Sequence, residues 1–240
     1  MTKYKSFYFL HIPKTAGRFL AKYVINPVEK QLEKNGIKII DSTKPGSKGV
    51  RHLCWNKNID DNTYVFSIFR EPVNWACSWF IHHKYAENGA IKIDDELIVE
   101  KDLGINFSGK DVISWINQYT FLQNCQSKNF MFGGREELIK FSGQLEKENV
   151  ISRLERVNLL IKQDYLKNMD YNKIIEKIES DFGVEIDYRV PDDIDRRYYA
   201  NSASDVLYSS LSNFEGGSIK DLLSLDVEIY NNDNLFWPTK

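Results

Sequence analysis

Short apolar runs alternate along this chain with longer amphipathic stretches. The aromatic run at 5–11, "KSFYFLH", stops just before Pro13 and reads as a buried strand bounded by a turn. "RFLAKYVINPVEKQLEKNG" then carries apolar residues at helical spacing. Asn26-Pro27 predicts a bend or break in that helix, and Gly36 its stop. "IKIID" reads as a short strand, and "GSKGVRHLCW" as a glycine-containing loop continuing through "NKNIDDN". "TYVFSIF" is a second buried strand, ending at Arg70. "EPVNWACSWFIHHKYAENG" predicts a helix with Pro72 in its first turn, where proline is tolerated.

Residues 88–109 read as an irregular insertion with acidic and glycine-containing pieces, and "KDVISWINQYTFLQN" as one helix. A charged helical stretch follows "FGG" at 132–134, and "VNLLIK" at 157–162 is a third buried strand. "DYNKIIEKIESDFG" places Ile174, Ile175, Ile178 and Phe182 on one face, with Gly183 at its end. A polar, tyrosine-containing loop is expected at 187–201, and "SIKDLLSLDVEIYNND" as a last helix. There is no repeat, low-complexity linker or charge block. The alternation predicts an α/β domain with a central, mostly parallel sheet, spanning 1–240 as one unit.

Hydrophobic residues make up 42% and charged residues 28%, a balance that supports a packed core. The net charge of −2 turns the reading away from a general nucleic-acid binder, although a few residues can still set a local potential. Cys54, Cys77 and Cys125 are odd in number and widely spaced, which argues against a disulfide framework and a structural zinc site. The N-terminal apolar run is short and meets Pro13 and Lys14 at once, unlike a signal peptide. No apolar stretch approaches the ~20 residues that span a bilayer. The expectation is a soluble, cytoplasmic protein.

Two segments carry candidate chemistry. "PKTAGR" follows the first strand and precedes a helix. In a parallel sheet that is the edge where ligands bind, and a helix N-terminus suits phosphate or sulfate. Ala16 and Gly17 permit close backbone approach, Lys14 brings a charge, and Thr15 a hydroxyl. The same residues also serve as an ordinary capped turn. The nucleotide pattern G-x-x-x-x-G-K-[ST] is absent, which disfavours an ordinary ATP or GTP site. In the second segment Arg70 ends a strand, and Ser78 lies eight residues on, roughly two turns into the helix. Arg70 can grip a phosphate bidentately, or it can pair with Glu71 while Ser78 bonds the preceding turn.

Taken together, "HIPKTAG" after the first strand and "REPV" with a serine eight residues beyond the arginine resemble the cytosolic and Golgi-type sulfotransferases, especially the carbohydrate branch. The resemblance is specific in these two motifs and looser in "GVRHLCW", "INQYTFLQN", "VNLLIKQDYLKN" and "IKDLLSLDVEIYNN". It implies a P-loop-like three-layer domain. It also implies 3′-phosphoadenosine-5′-phosphosulfate (PAPS) as sulfuryl donor and 3′,5′-bisphosphoadenosine as product. Lys14, Thr15, Ala16 and Gly17 would contact the 5′ end of the donor, with Arg18 a further candidate there, and Arg70 and Ser78 its 3′-phosphate. Family members carry Ser or Thr directly after the "KTAG" motif. Here Arg18 and Phe19 stand in those places, so Arg18 either substitutes for the hydroxyls or faces solvent, and Phe19 packs under the helix.

The implied reaction is sulfuryl transfer to a hydroxyl of a carbohydrate or glycolipid, with no metal. Its demands are positioning and charge stabilisation. Lys14 would neutralise the leaving phosphate. His52 occupies the family's usual place for the base, which suits a histidine. His11 at the strand end reads as structural, Glu71 and Asp41 are alternative bases, and one of His82 and His83 is expected to face the cleft. Trp55, Trp75, Trp79 and Trp115 can stack on sugars or build the core. The loops at 88–109 and 187–201, with Arg196, Arg197, Tyr198 and Tyr199, are where an acceptor site would be built. A protein of this fold that binds phosphoadenosine without turnover, and a related nucleotide-dependent phosphotransferase, are the alternatives.

Overall fold

The computed structural model describes residues 3–15, 17–40, 54–55, 58–87, 107–166, 169–191 and 203–239. Four strands, β1 (Ser6–Leu10), β2 (Lys38–Ile39), β3 (Thr63–Phe69) and β4 (Leu159–Lys162), form one sheet in the order β2-β1-β3-β4, and every pairing is parallel. All residues of β1, β3 and β4 are buried. That explains why these strands read as continuous apolar runs rather than alternating ones: both faces of the sheet are covered.

Phe7, Phe9, Tyr64, Phe66, Ile68, Leu159 and Ile161 point to one face. It is covered by the first helical segment and by α9 (Asn172–Phe182), whose Ile174, Ile175, Ile178 and Phe182 are buried as their spacing predicts. Tyr8, Leu10, Val65, Phe69 and Leu160 face the other side, under α5 (Cys125–Met131), α7 (Lys147–Glu155) and α12 (Ser224–Tyr230). A third cluster joins α3 (Pro72–Glu87), α4 (Gly109–Gln118), α10 (Ala203–Ser210) and α11 (Asn213–Leu222). The short helices α6 (Arg135–Lys140) and α8 (Gln163–Leu166) complete the set. Trp237 forms a parallel bridge to Ile161 and donates its N–H to the Leu160 carbonyl at 2.8 Å, which shields the outer edge of β4.

The first helix does not break at Pro27. It runs as α1 (Gly17–Leu20), a π-helical segment (Ala21–Ile25) and α2 (Asn26–Lys34). The Asn26 N–H bonds to the Ala21 oxygen, one residue further back than in an α-helix. Pro27 has no N–H to offer the Tyr23 oxygen, and the Tyr188 hydroxyl donates to it instead at 2.9 Å. The expected helix at 110–124 ends at Gln118, because Tyr119 leaves helical geometry with ψ 74°; a 3₁₀ turn and α5 follow. The expected last helix divides at Leu223, and α11 starts earlier than predicted, at the capping box of Ser212 and Glu215. Of the insertion expected at 88–109, residues 88–106 lie outside the described residues, and Ser108 caps α4. Among the described residues no helix is long and apolar enough to cross a membrane.

Candidate functional site

The chain leaves β1 toward β2 on one side, and leaves β3 toward β4 on the other. The C-terminal ends of these two neighbouring strands therefore flank the point where the winding reverses, where open parallel sheets bind ligands. The two motifs singled out in the sequence meet there.

The loop after β1 is held by its carbonyls. The Leu10 oxygen accepts from Ser67 Oγ at 2.8 Å, and the Ile12 oxygen from Thr15 Oγ1 at 2.7 Å. The Pro13 oxygen accepts from Trp75 Nε1 at 3.0 Å, and the Lys14 oxygen from Arg70 Nη1 at 2.9 Å. Lys14 adopts a left-handed backbone with φ 65°, a conformation that costs an L-residue and that the Arg70 bond helps to hold. Three of these donors, Ser67, Arg70 and Trp75, come from β3 and the start of α3, so the second motif shapes the first. Thr15 is buried and its hydroxyl proton is committed to the loop itself.

Arg70 is 8% exposed. Besides the Lys14 oxygen it donates from Nη2 to Asn74 Oδ1 at 2.6 Å, while Nε has no hydrogen-bond partner among the described residues. Its main chain is clamped by Gln126, whose Oε1 accepts from the Arg70 N–H at 2.9 Å and whose Nε2 donates to the Arg70 oxygen at 3.0 Å. Glu71 does not take Arg70 as an ion-pair partner. It accepts from the Asn74 N–H at 2.6 Å and so caps α3 behind Pro72. Burial lowers the guanidinium below its ordinary value, opposed by Asp205, Asp164, Cys77 and Glu71. Burial likewise raises the Glu71 carboxyl, opposed by hydrogen bonds from the main chain of Asn74 and Val73.

Asn74 and Ser78 are one helical turn apart on α3, and both are buried. Gly17 opens α1, and Phe19 packs against Tyr23 and Tyr171 at 5.0 and 5.1 Å between ring centroids. Arg18 lies within α1. Ala16 and His52, together with Asp41 and the loop residues Arg196, Arg197, Tyr198 and Tyr199, lie outside the described residues. The buried His11 ring stacks on Phe9, and His83 packs on Trp115 and Tyr119. Trp55, Trp75 and Trp115 are buried, and Trp79 packs edge-on against Trp75 at 5.1 Å.

Sequence reasoning passed over Asn74, Gln126 and Asp226. Asn74 had a signal, since it sits midway between Arg70 and Ser78 at helical spacing. Gln126 and Asp226 had none, because their partners are remote in sequence. Asp226 on α12 is fully buried and accepts from the N–H groups of Gln126 and Ser127 at 3.1 and 2.8 Å and from the Ser127 hydroxyl. It thus caps α5 from another helix, because the α5 N-cap residue, Asn124, is left-handed with φ 52° and makes no side-chain cap. Burial pushes the Asp226 carboxyl up to about 6, against those hydrogen bonds.

Cys54, Cys77 and Cys125 are in no disulfide, and burial pushes the Cys77 thiol up to about 12. Among the described residues no group of three His, Cys, Asp or Glu side chains could hold a metal ion. No family model matches this chain, and no curated protein matches it.

Proposed function

We propose that this protein is a sulfotransferase of P-loop-like three-layer architecture that moves the sulfuryl group of PAPS to a hydroxyl of a carbohydrate or glycolipid. The observation that carries the reading is the bond from Arg70 to the Lys14 oxygen at the winding reversal. It couples the two motifs that resemble the donor-binding segments of sulfotransferases. The residues fit an anionic nucleotide in two respects. The carbonyls of the first loop are drawn inward, away from an anion. A buried guanidinium also stands beside that loop with its Nε–H unused.

PAPS supplies an activated sulfuryl group. In this reading Lys14 neutralises the negative charge that grows on the leaving phosphate, and Thr15, Ala16, Gly17 and Arg18 line the 5′ end around the start of α1. Arg70 contributes its charge, and Ser78 its hydroxyl, toward the 3′-phosphate. His52 takes the proton of the acceptor hydroxyl. A site of this kind acts through positioning and fixed charge.

A second reading, a protein of the same fold that binds phosphoadenosine without turnover, is favoured by one observation. Both terminal nitrogens of Arg70 are already bonded within the protein. Thermal-shift titration tests the binding that both readings share. Stabilisation by 3′,5′-bisphosphoadenosine that rises with its concentration is expected, with little from ATP. Equal or greater stabilisation by ATP overturns both. Transfer of labelled sulfate from PAPS to a glycan, lost in His52→Ala and Lys14→Ala, separates the enzyme from the binder.

A further inference from the structure

Just beyond the ends of β3 and β4 two buried polar atoms have no hydrogen-bond partner among the described residues. One is Arg70 Nε, a donor; the other is Gln163 Oε1, an acceptor. Both residues are 8% exposed. Phe69 and Lys162 are paired at the end of the β3–β4 register, and Arg70 and Gln163 are the residues that directly follow them, Gln163 opening α8. Arg70 also feels the charge of Asp164, the residue after Gln163.

The groups on either side of Gln163 are satisfied. Lys162 forms an ion pair with Asp233, and Asp164 accepts from the Tyr230 hydroxyl. The lone acceptor therefore stands between occupied neighbours one residue beyond β4, as the lone donor stands one residue beyond β3. Buried polar atoms that stay unpaired in a well-bonded surrounding are costly and mark a place where a ligand completes the bonding.

One ligand group satisfies both atoms: a hydroxyl, whose oxygen accepts from Arg70 Nε–H while its own O–H donates to Gln163 Oε1. We infer that Gln163 and Arg70 together bind a ligand hydroxyl, and that it is the ribose 2′-hydroxyl of the donor nucleotide. This assignment rests on the reading proposed above, in which Arg70 lies toward the 3′-phosphate. The 2′-hydroxyl is the group vicinal to that phosphate. Gln163 thereby sets a preference for ribonucleotide over deoxyribonucleotide.

Calorimetric titration with 3′,5′-bisphosphoadenosine and with its 2′-deoxy analogue tests this. The wild type is expected to bind the ribo compound about tenfold more tightly, the range of one buried hydrogen bond left unmade. Gln163→Met removes the acceptor at nearly constant shape, and the ratio falls to about one. Gln163→Glu keeps an acceptor oxygen but adds a charge. It weakens both compounds while preserving the ratio. Melting curves of each variant establish that it is folded. Equal binding of the two compounds by the wild type, or an unchanged ratio in folded Gln163→Met, overturns the inference and leaves the proposed function standing. Failure of the wild type to bind either compound overturns both.

Discussion

Arg70 Nη1 donates to the main-chain oxygen of Lys14 across 2.9 Å, joining the loop after β1 to the corner after β3. The sequence reading treated these residues as two separate ligands for one anionic molecule. In the structure each is also a structural support of the other: the arginine holds the lysine's backbone, and the lysine's carbonyl occupies one of the arginine's five N–H donors.

Replacing Arg70 by Met should cost about 1–3 kcal/mol, the penalty for leaving the Lys14 oxygen and Asn74 Oδ1 without their donor. Arg70→Lys should recover only part of this, because an ammonium lacks the planar fork that reaches both acceptors. Urea unfolding of the two variants measures the difference. Equal stability of wild type and Arg70→Met would show that the loop does not depend on this bond.

Lys14 sits at φ 65°, where glycine is free and other residues are strained. Lys14→Gly is therefore expected to be more stable than Lys14→Ala by about 1 kcal/mol. On the proposed function both should also lose sulfuryl transfer, since neither carries the cation. The melting temperatures of the two variants decide the first point, and a labelled-sulfate assay the second.

Asp226 has a carboxyl raised from 3.8 to about 6 by burial. Between these values the folded protein retains a proton that the unfolded chain has released. Stability from this group is full below pH about 4 and is lost as pH rises through about 6, with a slope of roughly 1.4 kcal/mol per pH unit in between. The difference in unfolding free energy between wild type and Asp226→Asn, followed from pH 4 to 7, should decline along that window. A flat difference would mean that the carboxyl titrates at its ordinary value. Because Asp226 supports Gln126, and Gln126 clamps the Arg70 main chain, the proposed function predicts that the same variant also weakens binding of 3′,5′-bisphosphoadenosine.

The Tyr188 hydroxyl replaces the N–H that Pro27 cannot give to the Tyr23 oxygen. Tyr188→Phe should cost about 0.5–1.5 kcal/mol. In a Pro27→Ala background the residue at 27 can donate to Tyr23 itself, and the cost of Tyr188→Phe should shrink. A double-mutant cycle reads this coupling; additive losses would argue that the hydroxyl bond carries no weight.

The sequence alone determined the buried strands, the face of α9, the stop at Gly183 and the two motifs at the strand ends. These are local properties: side-chain periodicity, turn chemistry and the missing N–H of proline act over a few residues, so a short window contains their cause. It did not determine the division of the 110–124 segment or of the last helix, where Tyr119 and Leu223 leave helical geometry without a proline or glycine to announce it. Nor did it determine what holds the candidate site. Gln126 reaches Arg70 across 56 residues of sequence, and Asp226 reaches Gln126 across 100. Such pairings exist only once the sheet has set its strand order, because a buried donor takes whichever acceptor the packing brings within about 3 Å, irrespective of its distance along the chain.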